Sequence, residues 1–594
     1  MKWRAVWAGG ICAVAAAHAG AQPGTPVVTA EQAIAALERS LDAELRRADQ
    51  PAPPGLAARM QQLPLRGLSI AVIHQGRVHW ARGFGDARDG VPVTPETRFQ
   101  AGSISKAVAA LGTLALAESR GVKLDDDLRP MLKRWQPAAE TAEPAVPRYT
   151  LRRLLSHSAG LGQGGFPGYT RGAALPTLPQ ILDGLPPANT GPVRPLQAPG
   201  ADFRYSGGGT TIVQLWVEDV SGQPFAALMQ QWVLQPLGLV HSQYEPPTVA
   251  DDPRFAMSHQ GRTPEPGGAR VYPERQAAGL WSTPTDIATA WIAVQRALAG
   301  RSSPVSAATA RAVTTAVTPL TSVGFFIDGG AGAAQRFGHN GSNQGFESFS
   351  TAFVNRGEGV VIMANGQSTW GLVDAVVRTL ARVYQWPGMA APAALADQAL
   401  PLQAAQWVGQ YQPQDGPALQ VRRHQDMLYL AAGPGSWQRL WRTDSGAYTT
   451  AFGRPLLRFT AAGLVTAEGS AALPRQALVP LRWPAVYLRG SFNNWQAQQT
   501  MQTVTDGQWR LQFELPAGRH EFKLGDANWQ TVNLGGSSGG GVGLDSWTPL
   551  AAQGGNLVVD IAATGPYLLE LEASDSPSPP RLRLSRVQPP EPKS

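Results

Sequence analysis

The distribution of apolar residues in this 594-residue chain changes at residues 387–401, a stretch rich in alanine and proline. Before it, helical spacing of apolar residues is framed by strand-like alternation, which predicts an α+β or mixed-sheet domain over residues 30–390. After it, short alternating runs separated by glycine and proline predict two small all-β domains, over residues 400–480 and 482–586. A chain of this length is too long for one hydrophobic core, which agrees with several domains.

The overall composition is that of a globular protein rich in loops. Hydrophobic residues make up 43% of the chain and charged residues 16%, whereas a disordered chain has fewer apolar and more charged residues. The formal charge of +7 is spread along the chain without a lysine and arginine cluster, so we expect no nucleic-acid partner. No later stretch approaches the roughly 20 apolar residues of a spanning helix, so we expect no membrane span.

The first 21 residues have the pattern of an export signal. A positively charged start, an apolar stretch at residues 7–17 and a small-residue cleavage motif ending at Ala21 predict removal of residues 1–21 and a periplasmic or secreted protein. Loss of two cationic side chains lowers the formal charge from +7 to +5. The single cysteine, Cys12, lies in this signal, so the mature chain is expected to have no thiol. A lipidation site at Cys12 is the alternative.

Two hairpins and four helices are predicted within the first domain. Each predicted strand pair shows strand-like alternation of residues on both sides of a turn that contains glycine. The predicted helices show helical spacing of apolar residues or an alanine-rich run. The predicted strand pairs are residues 68–74 with 78–84 and residues 346–354 with 360–364, and the predicted helices are residues 31–47, 103–119, 210–221 and 372–384.

Ser103 and Lys106 lie three residues apart at the start of the alanine-rich helix. This offset places both side chains on one helix face. A serine hydroxyl becomes a nucleophile when a neighbour takes its proton, and a lysine buried among apolar groups can lose its charge and do so. The helix N-terminus also favours the oxyanion that forms when a carbonyl is attacked. In isolation the tetrapeptide is common and equally describes a helix cap followed by a solvated lysine.

Five motifs around this pair occur in a fixed order along the chain. They are GLSIAV at 67–72, FQAGSISK at 99–106, LLSHSAGL at 154–161, FRYS at 203–206 and GLWST at 279–283. In this order they resemble the signatures of class C β-lactamases and their esterase and D-peptidase relatives, the penicillin-recognising serine hydrolases. The resemblance implies a β-lactamase/transpeptidase-like fold, with an antiparallel sheet flanked by helices, in which Ser103 is acylated and Lys106 is its base.

The resemblance also implies further site residues. Tyr205 matches a tyrosine that sits against the serine and lysine, and a nearby ammonium is expected to lower the pKa of its phenol. The segment that begins at His339 resembles the third family motif: Gly341 lets the strand approach the substrate, and the N–H of Ser342 joins that of the nucleophile in holding the oxyanion. We expect His339 to donate a hydrogen bond and to titrate near neutral pH.

Two departures from the family pattern bear on the substrate. Gly207 stands where the family commonly has an asparagine that contacts a substrate acylamide, and His339 replaces a lysine that binds a substrate carboxylate. Both favour an ester or an unusual amide over a β-lactam or peptide. The long segments 160–200 and 245–276, rich in proline, glycine and polar residues, are expected to form walls of the site, with tolerated insertion as the alternative.

The remaining histidines are not assigned to the chemistry. His157 lies in a matching motif, but the family uses that segment to shape the loop near the site. The others are scattered without metal-ligand spacing, so we expect no metal, and no cofactor is implied.

The two carboxy-terminal regions carry separate resemblances. Residues 407–473 resemble the small β-barrel-like domain often appended to such hydrolases. Motifs at 487–495, 522–529 and 554–556 resemble the starch- and glycogen-binding β-sandwich modules that accompany pullulanases. Aromatic residues at alternate positions equally fill a sandwich core, so a spacer module remains the alternative. The sugar-binding positions that the resemblance implies are Trp495, Lys523, Trp529 and Asn556.

Together these patterns predict a serine hydrolase that forms an acyl-enzyme with a small-molecule ester, β-lactam or peptide, and polysaccharide is a second candidate partner. Lys106, with Tyr205, takes the proton of Ser103, and water later releases the acyl group. The alternative is a catalytically retired homologue that binds cell wall or polysaccharide. Gly207 keeps this alternative open, whereas the intact serine, lysine and tyrosine argue against it.

Overall fold

The structure is a computed structural model of the chain. The expected export signal, residues 1–21, lies outside the residues that it describes. The described residues are 28–47, 51–63, 65–138, 147–200, 203–247, 252–260, 262–330, 332–367, 369–394, 400–413, 418–443, 446–450, 456–466, 472–479, 481–493, 495–529, 531–536, 541–552, 554–573 and 579–587.

A seven-stranded antiparallel sheet forms the centre of the first region. Its middle strands, Gly67–His74 and Gly359–Ala364, pair with each other, so segments from the two ends of the region share one sheet. Both predicted hairpins are confirmed. Across the sheet the strands lie in the order Val91–Pro92, Arg77–Arg88, Gly67–His74, Gly359–Ala364, Phe346–Phe353, Arg336–Asn343 and Phe326–Asp328.

Alternate residues of the strand Gly67–His74 face two different hydrophobic cores, because side chains along a strand point to opposite faces in turn. Ile70 and Val72 belong to a smaller core that also contains residues of the first and last helices of this region. Ala71 and Ile73 belong to a larger core on the opposite face. The sheet is therefore covered on both faces, which confirms the expected antiparallel sheet flanked by helices.

The first helix spans Ala30–Arg39, so the prediction of a helix over residues 31–47 is wrong beyond residue 39. Leu41 and Leu45 continue the helical apolar spacing, but they pack in different places. Leu41 lies in the smaller core, and Leu45 lies against Trp441. Tertiary contacts of an irregular segment therefore reproduce the spacing that was interpreted as one continuous helix.

The larger core surrounds the helix Ile104–Ser119, whose side chains are nearly all buried. The helix Gly207–Ser221 begins before the predicted residue 210, because the Ser206 hydroxyl accepts the N–H of Gly209 at 2.8 Å and so caps it. Within the described part of the chain, no helix is long and apolar enough to cross a membrane. The other helices are Leu56–Gln62, Leu151–Leu155, Leu178–Asp183, Phe225–Met229, Arg275–Ala278, Pro284–Leu298, Ala307–Ala312 and Trp370–Val383.

In the described part of the next region, eight short strands enclose a separate core. Residue 476 pairs back to Gln410 and residue 473 pairs with Leu464, so the segment between them links the last strand to the first and nearly closes a barrel. This agrees with the barrel-like expectation. The strands are Gly409–Tyr411, Leu419–His424, Met427–Ala431 and Gln438–Arg439 in one sheet, and Trp441–Arg442, Tyr448–Thr449, Leu457–Thr460 and Gly463–Thr466 in the other.

Among the described residues of the last region, ten strands enclose one core. The strand Trp547–Ala552 pairs at one end with Asn533–Gly536 and at the other with Arg581–Arg586, so it passes from one layer to the other. The remaining strands are Tyr487–Gly490, Gln499–Thr500, Gln502–Thr505, Gln508–Leu515, Gly518–Gly525, Leu557–Ile561 and Gly565–Glu572.

Candidate active site

Ser103 is the N-cap residue of the helix Ile104–Ser119 and is half-buried. The preceding Gly102 has a φ of +52°, and a Cβ atom there would lie 2.5 Å from the backbone nitrogen of Ser342. Glycine is therefore required at this position, because it permits both the left-handed backbone and the close approach of the strand. The turn presents the Ser103 hydroxyl beside the strand that carries the third motif.

Lys106 lies one helical turn after Ser103, as the spacing predicted. Its Nζ is 3.0 Å from Ser103 Oγ and donates to the Ala277 carbonyl oxygen at 2.7 Å. Only 3% of Lys106 is exposed, and this desolvation lowers its pKa from 10.5 to about 7. Burial disfavours the ammonium, so a substantial fraction of this lysine is a neutral amine at neutral pH and can accept the serine proton.

Tyr205 joins the pair, because Lys106 Nζ lies 5.2 Å from the centre of its ring. Burial raises the pKa of Tyr205 to about 12, and the nearby Ser103 side chain opposes that shift only in part. The expectation that a neighbouring ammonium lowers this pKa is therefore wrong. Both groups share one desolvated pocket, which favours the neutral amine and the neutral phenol together.

Gly341 and Ser342 lie on the strand Arg336–Asn343, beside the start of the Ser103 helix. A Cβ atom at Gly341 would lie 2.0 Å from the Ala101 carbonyl oxygen, so the strand can approach this closely only through glycine. The hairpin closes at the pair Asn343 and Phe346. Because hydrogen-bonded pairs alternate along antiparallel strands, the N–H of exposed Ser342 points away from the partner strand. The nitrogen of Ser342 lies beside Gly102, the residue before Ser103.

His339 is buried, and its Nδ1 lies 2.6 Å from the Asn340 carbonyl oxygen, to which it donates. Desolvation, with a smaller contribution from Lys106, lowers the pKa of His339 to about 3. The expectation that it titrates near neutral pH is therefore wrong, because the ring stays neutral. Its Nε2 has no hydrogen-bond partner among the described residues. The third motif thus supplies no cation for a substrate carboxylate.

His157 positions Tyr205, a role that the sequence did not reveal. It has a left-handed φ of +58°, its ring centre lies 4.3 Å from that of Tyr205, and its Nδ1 accepts the N–H of Ser206 at 3.2 Å. Burial holds the pKa of His157 well below its usual range. Two further rings, Phe203 and Phe326, lie 6.5 and 6.1 Å from the Tyr205 ring and complete an aromatic wall.

Glu274 is a second ionisable group that sequence reasoning missed. It immediately precedes the helix Arg275–Ala278, which carries the carbonyl that Lys106 contacts, and it is fully buried. Burial raises the pKa of Glu274 to about 7, and its own backbone N–H opposes the shift. Within the described ranges, no three His, Cys, Asp or Glu side chains meet in an arrangement that could hold a metal ion.

The four predicted sugar positions lie near one another on the last region. Lys523 Nζ is 5.8 Å from the Trp529 ring centre, and Arg489, which contacts the Trp495 carbonyl oxygen at 2.7 Å, stacks on the same indole at 4.0 Å. Asn556 is exposed and donates to Glu521 at 2.9 Å, on the face of the strand that also carries Lys523. A sugar that stacks on Trp529 would have to share the indole ring with Arg489 or displace Arg489 from it.

Comparison with known proteins places the first region in a family. The sequence model of the family described as Beta-lactamase matches residues 56–383. The chain is 30% identical over 219 residues to Esterase EstB of Burkholderia gladioli, covering 35% of this chain and 53% of the relative. It is 32% identical over 205 residues to Penicillin-binding protein 4 of Amycolatopsis lactamdurans, covering 34% and 51%. The chain thus spans about half the length of these relatives.

Among solved structures, the D-amino acid amidase from Ochrobactrum anthropi SV3 complexed with L-phenylalanine aligns with a TM-score of 0.46 and 18% identity, covering 56% of this chain and 96% of that one. The family match extends over more than half of the chain and contains Ser103, Lys106 and Tyr205. This protein belongs to the Beta-lactamase family.

Proposed function

We propose that this protein is a serine hydrolase that forms an acyl-enzyme on Ser103 and prefers esters. The observation that carries the proposal is the 3.0 Å contact between the Ser103 hydroxyl and the buried amine of Lys106, whose pKa is about 7. A general base is most effective when its pKa lies near the working pH. The similarity to Esterase EstB supports the same reaction class.

The reaction begins when neutral Lys106 takes the proton of Ser103 and the serine oxygen attacks the substrate carbonyl. The N–H groups of Ser103 and Ser342 hold the oxyanion of the tetrahedral intermediate. The protonated Lys106 then returns the proton to the leaving group as the carbonyl re-forms. Water attacks the acyl-enzyme in the second half, with the same amine as base, and Ser103 is released.

Tyr205 serves this cycle as a neutral hydrogen-bonding group. Because the pKa of its phenol is about 12, the hydroxyl stays protonated at neutral pH. In that state it orients the serine oxygen and can relay the proton between Lys106 and the leaving group. His157, packed on the Tyr205 ring, fixes its position.

The preference for esters rests on the charge of the site. A substrate carboxylate, as in β-lactams and D-alanyl peptides, is best bound by a cation. His339 is neutral because its pKa is about 3, and Lys106 is engaged with Ser103 and Ala277. A neutral ester places no uncompensated charge in this pocket.

The test is covalent labelling of the full chain with a fluorescent fluorophosphonate, compared between wild type and Ser103→Ala. We expect label on the wild type alone, and faster hydrolysis of p-nitrophenyl esters than of nitrocefin or D-alanyl peptides. Absence of label and of turnover in the wild type would instead favour a retired hydrolase that only binds. Label on both proteins would show that another residue is the nucleophile.

We further propose that the last region binds an α-glucan. The supporting observation is that Lys523, Asn556 and Trp529 lie on one surface of this region. Retention of the full chain on glycogen should weaken at least threefold in Lys523→Ala, since a hydrogen bond to a sugar hydroxyl is lost. The matched control is Arg519→Ala, on the same strand, which should bind normally. Equal retention of all three proteins would favour a spacer module.

A further inference from the structure

The segment that follows Gly160 is hydrogen-bonded to residues 206–208, at the start of the helix Gly207–Ser221. The Gly207 N–H donates to the Gly164 carbonyl oxygen at 3.1 Å, and the Gly208 N–H donates to that of Gln163 at 3.0 Å. The Ser206 hydroxyl donates to the Gly162 carbonyl oxygen at 2.6 Å. Three consecutive hydrogen bonds therefore hold residues 162–164 alongside residues 206–208, directly after the tyrosine that contacts the nucleophile.

Side chains are excluded at both glycines of this contact. A Cβ atom at Gly207 would lie 2.9 Å from the Gly164 carbonyl oxygen and 2.9 Å from Cε2 of Phe166. At Gly208 it would lie 2.5 Å from Cγ2 of Val193. The space that a side chain at position 207 would enter is therefore already filled, partly by backbone and partly by the Phe166 ring.

Phe166 is half-buried, so part of its ring reaches the surface beside this contact. Given the spacing of Cα atoms, the ring edge lies within about 12 Å of Tyr205 Cα, about the reach of a medium-length acyl chain. The rings of Phe203 and Phe326 lie near Tyr205, 5.9 Å from each other. Aromatic rings therefore lie beside both Tyr205 and Gly207.

We propose that Phe166 is a specificity-determining residue, which selects substrates with an apolar acyl group. The proposal rests on the serine hydrolase function proposed above and names its substrate class: esters of medium-length apolar acids. Position 207 carries no side chain, and the Phe166 ring, from a distant segment, occupies the space beside it. An apolar acyl chain gains contact with that ring, whereas an acylamide finds no side-chain amide to bond.

The test compares Phe166→Ala with wild type on p-nitrophenyl acetate, butyrate, hexanoate and octanoate, so that only the acyl group varies. We expect kcat/KM for the hexanoate, relative to that for the acetate, to fall about tenfold, since methylene contacts in an apolar pocket discriminate by that order. Phe166→Leu should retain most of the ratio. The matched control is Leu196→Ala, an exposed leucine of the same long segment, which should leave the ratio unchanged.

A second pair of variants tests whether the Phe166 ring occupies the space beside Gly207. Gly207→Asn should reduce turnover of all four esters, because its Cβ meets Gly164 and Phe166, and adding Phe166→Ala should restore part of the loss. A uniform decrease for all chain lengths in Phe166→Ala, or no recovery in the double variant, would overturn the proposal. Fluorophosphonate labelling distinguishes failure of the hydrolase function from failure of the specificity role. If the wild type is not labelled, the hydrolase function itself fails. If Phe166→Ala is labelled but keeps the wild-type ratio of hexanoate to acetate kcat/KM, only the specificity role is overturned.

Discussion

Two lysines of this protein, Lys106 and Lys523, lie beside aromatic rings, and they differ in how far burial lowers their pKa. Lys106 Nζ is 5.2 Å from the Tyr205 ring centre, and Lys523 Nζ is 5.8 Å from that of Trp529. Lys106 is buried and its pKa falls to about 7. Lys523 is half-buried, and the same cause lowers its pKa less. The ring favours the cation in both places, so the depth of burial decides which lysine can act as a base.

The difference originates in the elements that carry the two side chains. Lys106 is on a helix that is buried on nearly every side. Lys523 is on a strand, Gly518–Gly525, whose alternate residues face outward. A helix in the middle of a core can desolvate a cation completely, whereas the outer face of a sheet cannot.

The largest effect expected from this comparison is that of Lys106→Arg. A guanidinium stays charged at every accessible pH and cannot take the serine proton, so kcat/KM for ester hydrolysis should fall about 10³-fold. The matched variant Lys523→Arg should keep wild-type hydrolysis, and steady-state kinetics would measure both. Comparable activity of Lys106→Arg and wild type would contradict the role of the buried amine.

Tyr205→Phe should have the next largest effect, because it removes the hydroxyl and keeps the ring that packs on His157. We expect kcat to fall about 10²-fold, as for loss of one proton-transfer group. Tyr384→Phe is the control, since burial also raises the pKa of Tyr384 to about 12 but this residue lies in the smaller core. Equal kinetics for the two variants would show that the Tyr205 hydroxyl takes no part.

The pH profile of kcat/KM tests the neutral amine directly. Because Lys106 must lose its proton and its pKa is about 7, activity should fall tenfold per pH unit below that value and level off above it. His339 and Tyr205, with pKa values of about 3 and 12, add no step between pH 5 and 9. In His339→Asn the midpoint should stay near pH 7, and a displaced midpoint would identify the histidine as the titrating group.

The smallest expected effect is on the free energy of unfolding, because burial also shifts the pKa of an acidic side chain, Glu274. Burial raises the pKa of Glu274 from 4.5 to about 7 in the folded protein, so the folded state binds the proton more tightly and loses stability as the pH rises from about 4.5 to 7. Glu274→Gln should remove this loss, up to about 3 kcal/mol at pH 8 and close to zero at pH 4. Urea unfolding of wild type and Glu274→Gln at pH 4 and pH 8 measures this difference in the free energy of unfolding. The same difference at both pH values would contradict a buried acid with a raised pKa.

Much of the site could be predicted because its signals are local. Ser103 and Lys106 follow from a three-residue spacing at a helix start, and Gly341 from the need for close approach. His157 acts through the ring of a residue 48 positions later, and Phe166 meets Gly207 only after the chain folds back, so no local pattern marked either. Leu45 shows the opposite case, in which tertiary packing imitated a helical pattern.

The amino-acid sequence by itself determined the hairpins, the alanine-rich helix and the order of the motifs, and it singled out Ser103, Lys106 and Tyr205, which the fold brings together. These depend on periodicity and short spacing, which neighbouring residues set. Only the tertiary structure decided the charge states of Lys106, Tyr205 and His339 and the filling of the space at Gly207. Those properties depend on how much water the whole fold excludes from a side chain, and segments far apart along the chain contribute to that exclusion.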